Sequence, residues 1–547
     1  MPPAASVIRS LLVCLVLGSA ARQGGVPAGP EPLLVPGPFA VGFRSLWVLD
    51  EGRTYSTAFD QGKTYGGEKA PRPLLVLLWF PADSAGAGTE RTSHGQYFSV
   101  PCEDPRLASF ADGLGAYARG VFVEQVMGKS EAELDERGRD ELETMLDAPT
   151  LCLSGAAPAA GPFPLVVYHC GAGSSFEDNA ALCEHLASHG YVVLGSAFPK
   201  ADGSSLGIDA GRGSAEDVQF LVRWARGLSI VDWNHVALVG HSAGAQAMLR
   251  YAAQPGCAGD ALVLLDTTQD YYALAMPLHE KVVSEATEGV AQLTQPMLVA
   301  AGPEAIFALC DSLVNSERTY LTVPELGHDE YISQGHQRLE RIALDVAAGR
   351  PGADADELAR APAVRASYRA LCATVLSFLD AVLGRGDADL AARLERERAL
   401  PWSPDVPRLV RVPRGVSAPE PYDPESDAPP TPRQFRELFE KEGVEAACSV
   451  LERFRDFEPK SPLYSSTMLA GSLLYGLLQN GRREEAALYY ATLKEISLPV
   501  LSLFEFMSDV KTMRGEHEQA LRFLRLAHDL DPANADVTTK LEKLEKK

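Results

Sequence analysis

No two cysteines of this chain stand in a C-x-x-C arrangement, although nine occur among its 547 residues. That absence removes the common dithiol redox motif and the zinc knuckle. Basic residues are scarce as well: 50 lysines and arginines face 73 aspartates and glutamates, for a net charge of −23. A deficit of that sign argues against a protein that tracks nucleic-acid phosphates or docks on anionic lipid, and it fits plain solubility. Past the first twenty residues no apolar run reaches bilayer-spanning length. What is present is an ordinary globular composition, 46% hydrophobic and 22% charged, in a chain long enough for two or more domains.

The N-terminus reads as a targeting segment over residues 1–21. Arg9 supplies a positive charge, residues 11–17 (Leu-Leu-Val-Cys-Leu-Val-Leu) form a short apolar core, and Gly18-Ser19-Ala20-Ala21 offers small residues for cleavage. A secreted or periplasmic protein is expected, with a retained N-terminal anchor as the alternative. Residues 22–38 are rich in Gly and Pro and read as a flexible lead-in. Loss of the presequence leaves eight cysteines; an even number in an exported protein permits disulfides, and buried free thiols fit equally well.

Val41 to Val48 and Leu74 to Phe80 read as early strands. The span from about Glu103 to Leu146 is polar and helix-like and reads as an insertion that caps a site. From Phe163 on, the pattern alternates. Strands are expected at 163–169, 191–197, before Ser242, and at 261–265, 296–301 and 319–323. Helices are expected at 179–188, at 214–228 with Ser214 as N-cap, and at 366–383. Short continuous apolar strands between helices predict a mostly parallel sheet covered on both faces. This α/β unit is assigned residues 39–386.

Residues 387–432, with the run Ala428-Pro429-Pro430-Thr431-Pro432, read as a linker. Residues 433–547 are nearly all helix-forming and repeat internally. Gly481-Arg482-Arg483-Glu484-Glu485-Ala486 recurs 34 residues later as Gly515-Glu516-His517-Glu518-Gln519-Ala520. That period is the one of a tetratricopeptide repeat, so the tail resembles a short array of this kind and is expected to take a protein partner; a generic helical bundle is the alternative.

The chemistry concentrates at Gly240-His241-Ser242-Ala243-Gly244, between the apolar run Val236 to Val239 and the helix-like stretch from Ala245. G-x-S-x-G between strand and helix is the setting of a nucleophile elbow, where a serine hydroxyl stands exposed on a strained turn. A serine needs a base and an acid that orients the base, in the chain order Ser, Asp or Glu, His. Asp266 ends the strand 261–265, 24 residues after Ser242, and is the favoured acid; Glu304, after the strand ending at Ala301, is the competitor. Asp260 and Asp270 read as ordinary loop acids. His328, in Pro324-Glu325-Leu326-Gly327-His328-Asp329 after the last strand, is the expected base. His336 reads as exposed, and His185, His189 and His279 as without chemistry. For the oxyanion, one N–H is expected from Ala243 and one from the loop His169-Cys170-Gly171-Ala172-Gly173, at Gly171 with Ala172 as fallback. His169 reads as structural, tying that loop down. Nothing in the constellation calls for a metal or an organic cofactor.

From Val41 to about Gly386 the chain resembles an α/β-hydrolase of the platelet-activating-factor acetylhydrolase and dienelactone-hydrolase-like group. The pieces that carry the resemblance are Val41-Gly42-Phe43-Arg44, Leu77-Leu78-Trp79-Phe80-Pro81-Ala82, the His169 loop leading into the segment 183–193, and the Ser242 elbow. The resemblance implies a serine esterase acting on a small-molecule or lipid-like ester, and it supports Asp266 as the acid. One departure is Cys170, where the family's loop has Gly; its side chain could narrow the loop or pair with Cys183. A non-catalytic protein that binds its partner through the helical tail is the contrasting reading.

Overall fold

Every residue of the three strands Val192–Gly195, Ala261–Leu265 and Met297–Ala301 is buried. Successive side chains of a strand point to opposite faces, so such strands need cover on both sides of their sheet. The computed structural model supplies it. It describes residues 33–56, 69–83, 90–271, 293–350, 354–386, 390, 392, 408–417 and 421–546, apart from 106, 201–205, 208–211, 459 and 514. The targeting segment 1–21 and His279 lie outside the described residues, as do most of 22–38 and much of 387–420.

Eleven strands form one sheet: β1 (Ala40–Ser56), β2 (Lys69–Ala82), β3 (Arg91–Ser93), β4 (Pro149–Leu153), β5 (Phe163–His169), β6 (Val192–Gly195), β7 (Val231–His241), β8 (Ala261–Leu265), β9 (Met297–Ala301), β10 (Arg318–Thr322) and β11 (Arg408–Val412). Their spatial order is β11-β10-β9-β8-β7-β5-β6-β2-β1-β4-β3. The run from β6 through β5, β7, β8 and β9 to β10 is parallel throughout. Strand β2 joins it antiparallel to β6, and β1 pairs antiparallel to β2.

Among the described residues the helices here are α1 (Ala108–Met127), α2 (Glu136–Leu146), α3 (Ala180–Ser188), α4 (Arg212–Ala225), α5 (Ala243–Ala252), α6 (Ala308–Ser312), α7 (Ser333–Ala347) and α8 (Ala355–Val382). This is the expected mostly parallel sheet between helices, the architecture of an α/β-hydrolase. Three local expectations change. Helix α4 begins two residues before Ser214, so Ser214 sits in its first turn and does not cap it. Helix α8 begins eleven residues early, at Ala355, because Asp354 caps it through the Glu357 N–H at 2.8 Å. The insertion is less polar than its composition suggests: α1 buries Phe110, Leu114, Phe122 and Val126.

The stretch 387–432 is more than a linker. Its residues 408–412 form β11, which closes the sheet antiparallel to β10 and buries Leu409 and Val412. Leu409 and Val412 turn inward while Arg411 stays exposed, a pattern that suits an edge strand.

The tail follows as seven helices: α9 (Pro432–Glu442), α10 (Val444–Arg453), α11 (Thr467–Gln479), α12 (Arg483–Glu495), α13 (Leu501–Met513), α14 (His517–Leu530) and α15 (Ala535–Glu545). Thr431 opens α9 with a reciprocal capping box to Gln434 and Pro432 at the first position. The starts of α11 and α13, and of α12 and α14, are each 34 residues apart, and the turns carry Gly481 and Gly515 at φ 72° and 74°. A left-handed backbone there suits glycine.

The tail core does not stop at the tail. Ile306 and Ala308, from the segment after β9, are buried in one cluster with Phe435, Leu474, Tyr489 and Phe504. Beside them the buried Asp311 carboxylate accepts from Arg433 Nε (2.8 Å), Arg436 Nη2 (2.9 Å) and Tyr320 OH (2.8 Å). Removing one member of a buried charged cluster strands the others without a counter-charge. Asp311→Ala should therefore lower stability by about 3–5 kcal/mol in a chemical denaturation series. A variant within about 0.5 kcal/mol of the parent would show that this contact does not hold the two parts together.

Candidate active site

The run Gly240 to Gly244 makes the turn between β7 and α5, and Ser242 sits at its apex with φ 53° and ψ −119°. A non-glycine residue in that region carries roughly 1–3 kcal/mol of strain, which the surroundings must offset. Here the Ser242 N–H is held by the Leu265 carbonyl of the neighbouring strand at 2.9 Å. Close approach explains both glycines. A Cβ on Gly240 would lie 2.5 Å from the Ala245 nitrogen, and one on Gly244 would lie 2.2 Å from the His169 carbonyl oxygen.

Three distant side chains meet at this apex. His328 opens the short turn His328–Tyr331 after β10, and its Nε2 lies 3.0 Å from Ser242 Oγ. Its Nδ1 lies 2.6 Å from Asp266 Oδ2. A carboxylate can only accept, so Nδ1 carries the proton and Nε2 faces the serine as a base. Asp266 directly ends β8, with φ 42° and its N–H on the Ala300 carbonyl at 2.7 Å. Burial alone would lower the His328 pKa. The hydrogen bond and charge of Asp266, helped by Asp329, outweigh it and raise the imidazole above its ordinary 6.5.

Glu304, the competing acid, is turned elsewhere: its Oε1 accepts from Ser465 Oγ of the tail at 3.2 Å. The other oxygen of Asp266, Oδ1, accepts from the hydroxyl of Tyr271, which itself accepts the Gly302 N–H at 2.8 Å. No spacing rule in the sequence marks Tyr271. None marks His241 either, which lies behind His328. His241 Nε2 donates to the His328 carbonyl oxygen at 3.1 Å, and burial, followed by the nearby His328, lowers its pKa to about 3, so it stays neutral.

The loop after β5 differs from expectation in its donor. The Gly171 N–H is given to the buried Asp178 at 3.2 Å, so it does not face a substrate. Asp178 also accepts from Tyr168 OH and Ser174 Oγ, both at 2.7 Å, and burial raises its pKa to about 6. The next residue, Ala172, lines the cleft in front of His328 together with Gly173, Gln125, Gln334 and Arg338. Gln125 comes from α1 and reaches the Gly173 carbonyl at 3.2 Å, so the insertion borders this cleft. Ala243 is the first residue of α5, where an N–H has no partner within the helix. His169 is fully buried and ties the loop to α4: its Nε2 lies 2.6 Å from Ser214 Oγ, and its ring stacks on Phe198 at 3.8 Å.

Three smaller expectations are corrected. Cys170 and Cys183 are both free buried thiols, so no disulfide narrows the loop. His336 is buried, with Nε2 3.1 Å from the Glu330 carbonyl, because α7 turns its first residues inward. Asp270 is no ordinary loop acid: it is fully buried, and its carbonyl accepts the N–H groups of Ile306 and Phe307. Asp260 is the exposed loop acid that was expected, and it accepts the Val236 N–H at 2.8 Å.

No family model and no curated protein matches the chain. Among solved structures, a ferulic acid esterase from Streptomyces cinnamoneus is similar over 68% of this chain and 97% of its own, at 19% identity and a TM-score of 0.43. A puromycin-hydrolyzing peptidase from Mycobacterium tuberculosis is similar over 42% of this chain and 35% of its own, at 17% identity and a TM-score of 0.29. The sheet order, the strained serine between β7 and α5, and an acid and a histidine after later strands define the chain's own fold class as α/β-hydrolase.

An NMR titration of the histidine rings checks the electrostatics of the site without any substrate. His328 should titrate above 6.5, and His241 should show no protonation down to about pH 4. A His328 midpoint below 6.5 would contradict the Asp266 contact.

Proposed function

We propose that this chain is a serine hydrolase that cleaves a carboxylic ester through an acyl-enzyme intermediate. The observation that carries the reading is the unbroken relay from Ser242 Oγ to His328 Nε2 at 3.0 Å and from His328 Nδ1 to Asp266 Oδ2 at 2.6 Å. Ser242 Oγ attacks the ester carbonyl carbon as its proton passes to Nε2 of His328. Asp266 stabilises the imidazolium and keeps the ring in the reactive tautomer. The negative charge on the former carbonyl oxygen is met by the N–H groups of Ala243 and Ala172. His328 then gives its proton to the leaving oxygen as the C–O bond breaks. A water deprotonated by His328 releases the acid from Ser242.

The preference for esters over amides rests on the resemblance to the acetylhydrolase and dienelactone-hydrolase-like group, and so does a small or lipid-like substrate. Export of the chain rests on the composition of residues 1–21. The 34-residue recurrence in the tail supports a tetratricopeptide-like array with a surface for a protein partner.

Ser242→Ala should abolish labelling by a fluorophosphonate and lower kcat for a short-chain aryl ester by at least ~10⁴-fold. Turnover at the parent rate in that variant would refute the assignment.

A further inference from the structure

We propose that Tyr271 is a positioning residue that fixes the plane of the Asp266 carboxylate, so that Oδ2 and not Oδ1 meets His328. This rests on the role given to Asp266 above. The Asp266 side chain is only 4% exposed, so neither oxygen can find water readily. Oδ2 is taken by His328 Nδ1, and Oδ1 is taken by the Tyr271 hydroxyl. That hydroxyl gives its single proton to Asp266 and accepts the Gly302 N–H at 2.8 Å. The phenol is thus fixed by a backbone amide on one side and fixes a carboxylate on the other.

The support behind Tyr271 is itself rigidly held. Gly302 follows β9 directly, and the segment after it returns to the Asp270 carbonyl through the N–H groups of Ile306 (2.7 Å) and Phe307 (2.9 Å). Ile306 is fully buried in the tail core, and the nearby Asp311 is gripped by Arg433 and Arg436. The acid of the relay is therefore braced by a segment that the helical tail holds from behind. No interaction of comparable directness from β8 itself orients the carboxylate: the Asp266 backbone fixes where the side chain starts, not how it is turned about its last bond.

Losing the phenol hydroxyl leaves Oδ1 buried without a donor, and the carboxylate turns to share its contacts. The bond to His328 Nδ1 weakens. The groups that face His328 and Asp266 otherwise are His241, Asp329, Asp270 and Tyr331. With the Asp266 contribution reduced, the burial of the ring dominates and the His328 pKa falls.

The test compares Tyr271→Phe with Tyr368→Phe. Tyr368 also loses a buried hydroxyl contact, to Asn179, but stands outside the relay. In Tyr271→Phe the NMR titration of His328 should fall by about half a pH unit or more. The ester kcat should fall about ten- to hundredfold with KM within about twofold. In Tyr368→Phe both should stay at the parent values. A His328 titration in Tyr271→Phe that stays in place or moves up overturns the proposal, as does an equal response in both variants. The titration needs no turnover, so a chain that failed to cleave any ester would leave it readable.

Discussion

The hydrogen bond between Asp266 Oδ2 and His328 Nδ1, 2.6 Å long, is the contact on which the rest of the site depends. It decides which ring nitrogen is a base, and it holds the imidazole against a half-buried serine. The ring itself is half-exposed, so packing alone does not orient it. Its orientation comes from Asp266 in front and His241 behind, the latter through the His328 backbone. The parallel strands bring these parts together: β7 delivers Ser242, β8 delivers Asp266, and the turn after β10 delivers His328, all at the same edge of the sheet.

Two strained backbones sit at that edge, Ser242 and Asp266, both at positive φ. Each is pinned by the next strand through its own N–H, Ser242 to Leu265 and Asp266 to Ala300. Strain at a site persists only where neighbours over-determine it, and a fully buried parallel sheet does so. The tail adds a second layer of restraint. Its core takes in Ile306 and Ala308, and its first helix clasps Asp311. It is built into the molecule behind the acid.

The central fold was legible because its signals are local. The strands at 163–169 and 261–265 are continuous apolar runs bounded by polar or glycine residues, and a single window suffices to read them. Ser242, Asp266 and His328 were legible because chain order and strand ends constrain them. What escaped was long-range. Nothing near Gly171 announces that Asp178 takes its N–H. Tyr271 reaches Asp266 across a turn and Gly302 across a strand gap. β11 lies in a proline-rich stretch whose composition masks a five-residue edge strand. His336 looked exposed since its neighbours are polar, yet the start of α7 packs inward. Glu304 turns to a partner 161 residues away, Ser465.

The most direct measurement of the central claim is mass spectrometry of the protein quenched during turnover of an activated ester such as a p-nitrophenyl ester. A covalent serine nucleophile carries the acyl group between the two half-reactions. The account requires an adduct of the acyl mass on the peptide containing Ser242, accumulating when acylation outpaces hydrolysis and decaying as substrate is exhausted. Turnover with the acyl group on another residue would contradict it.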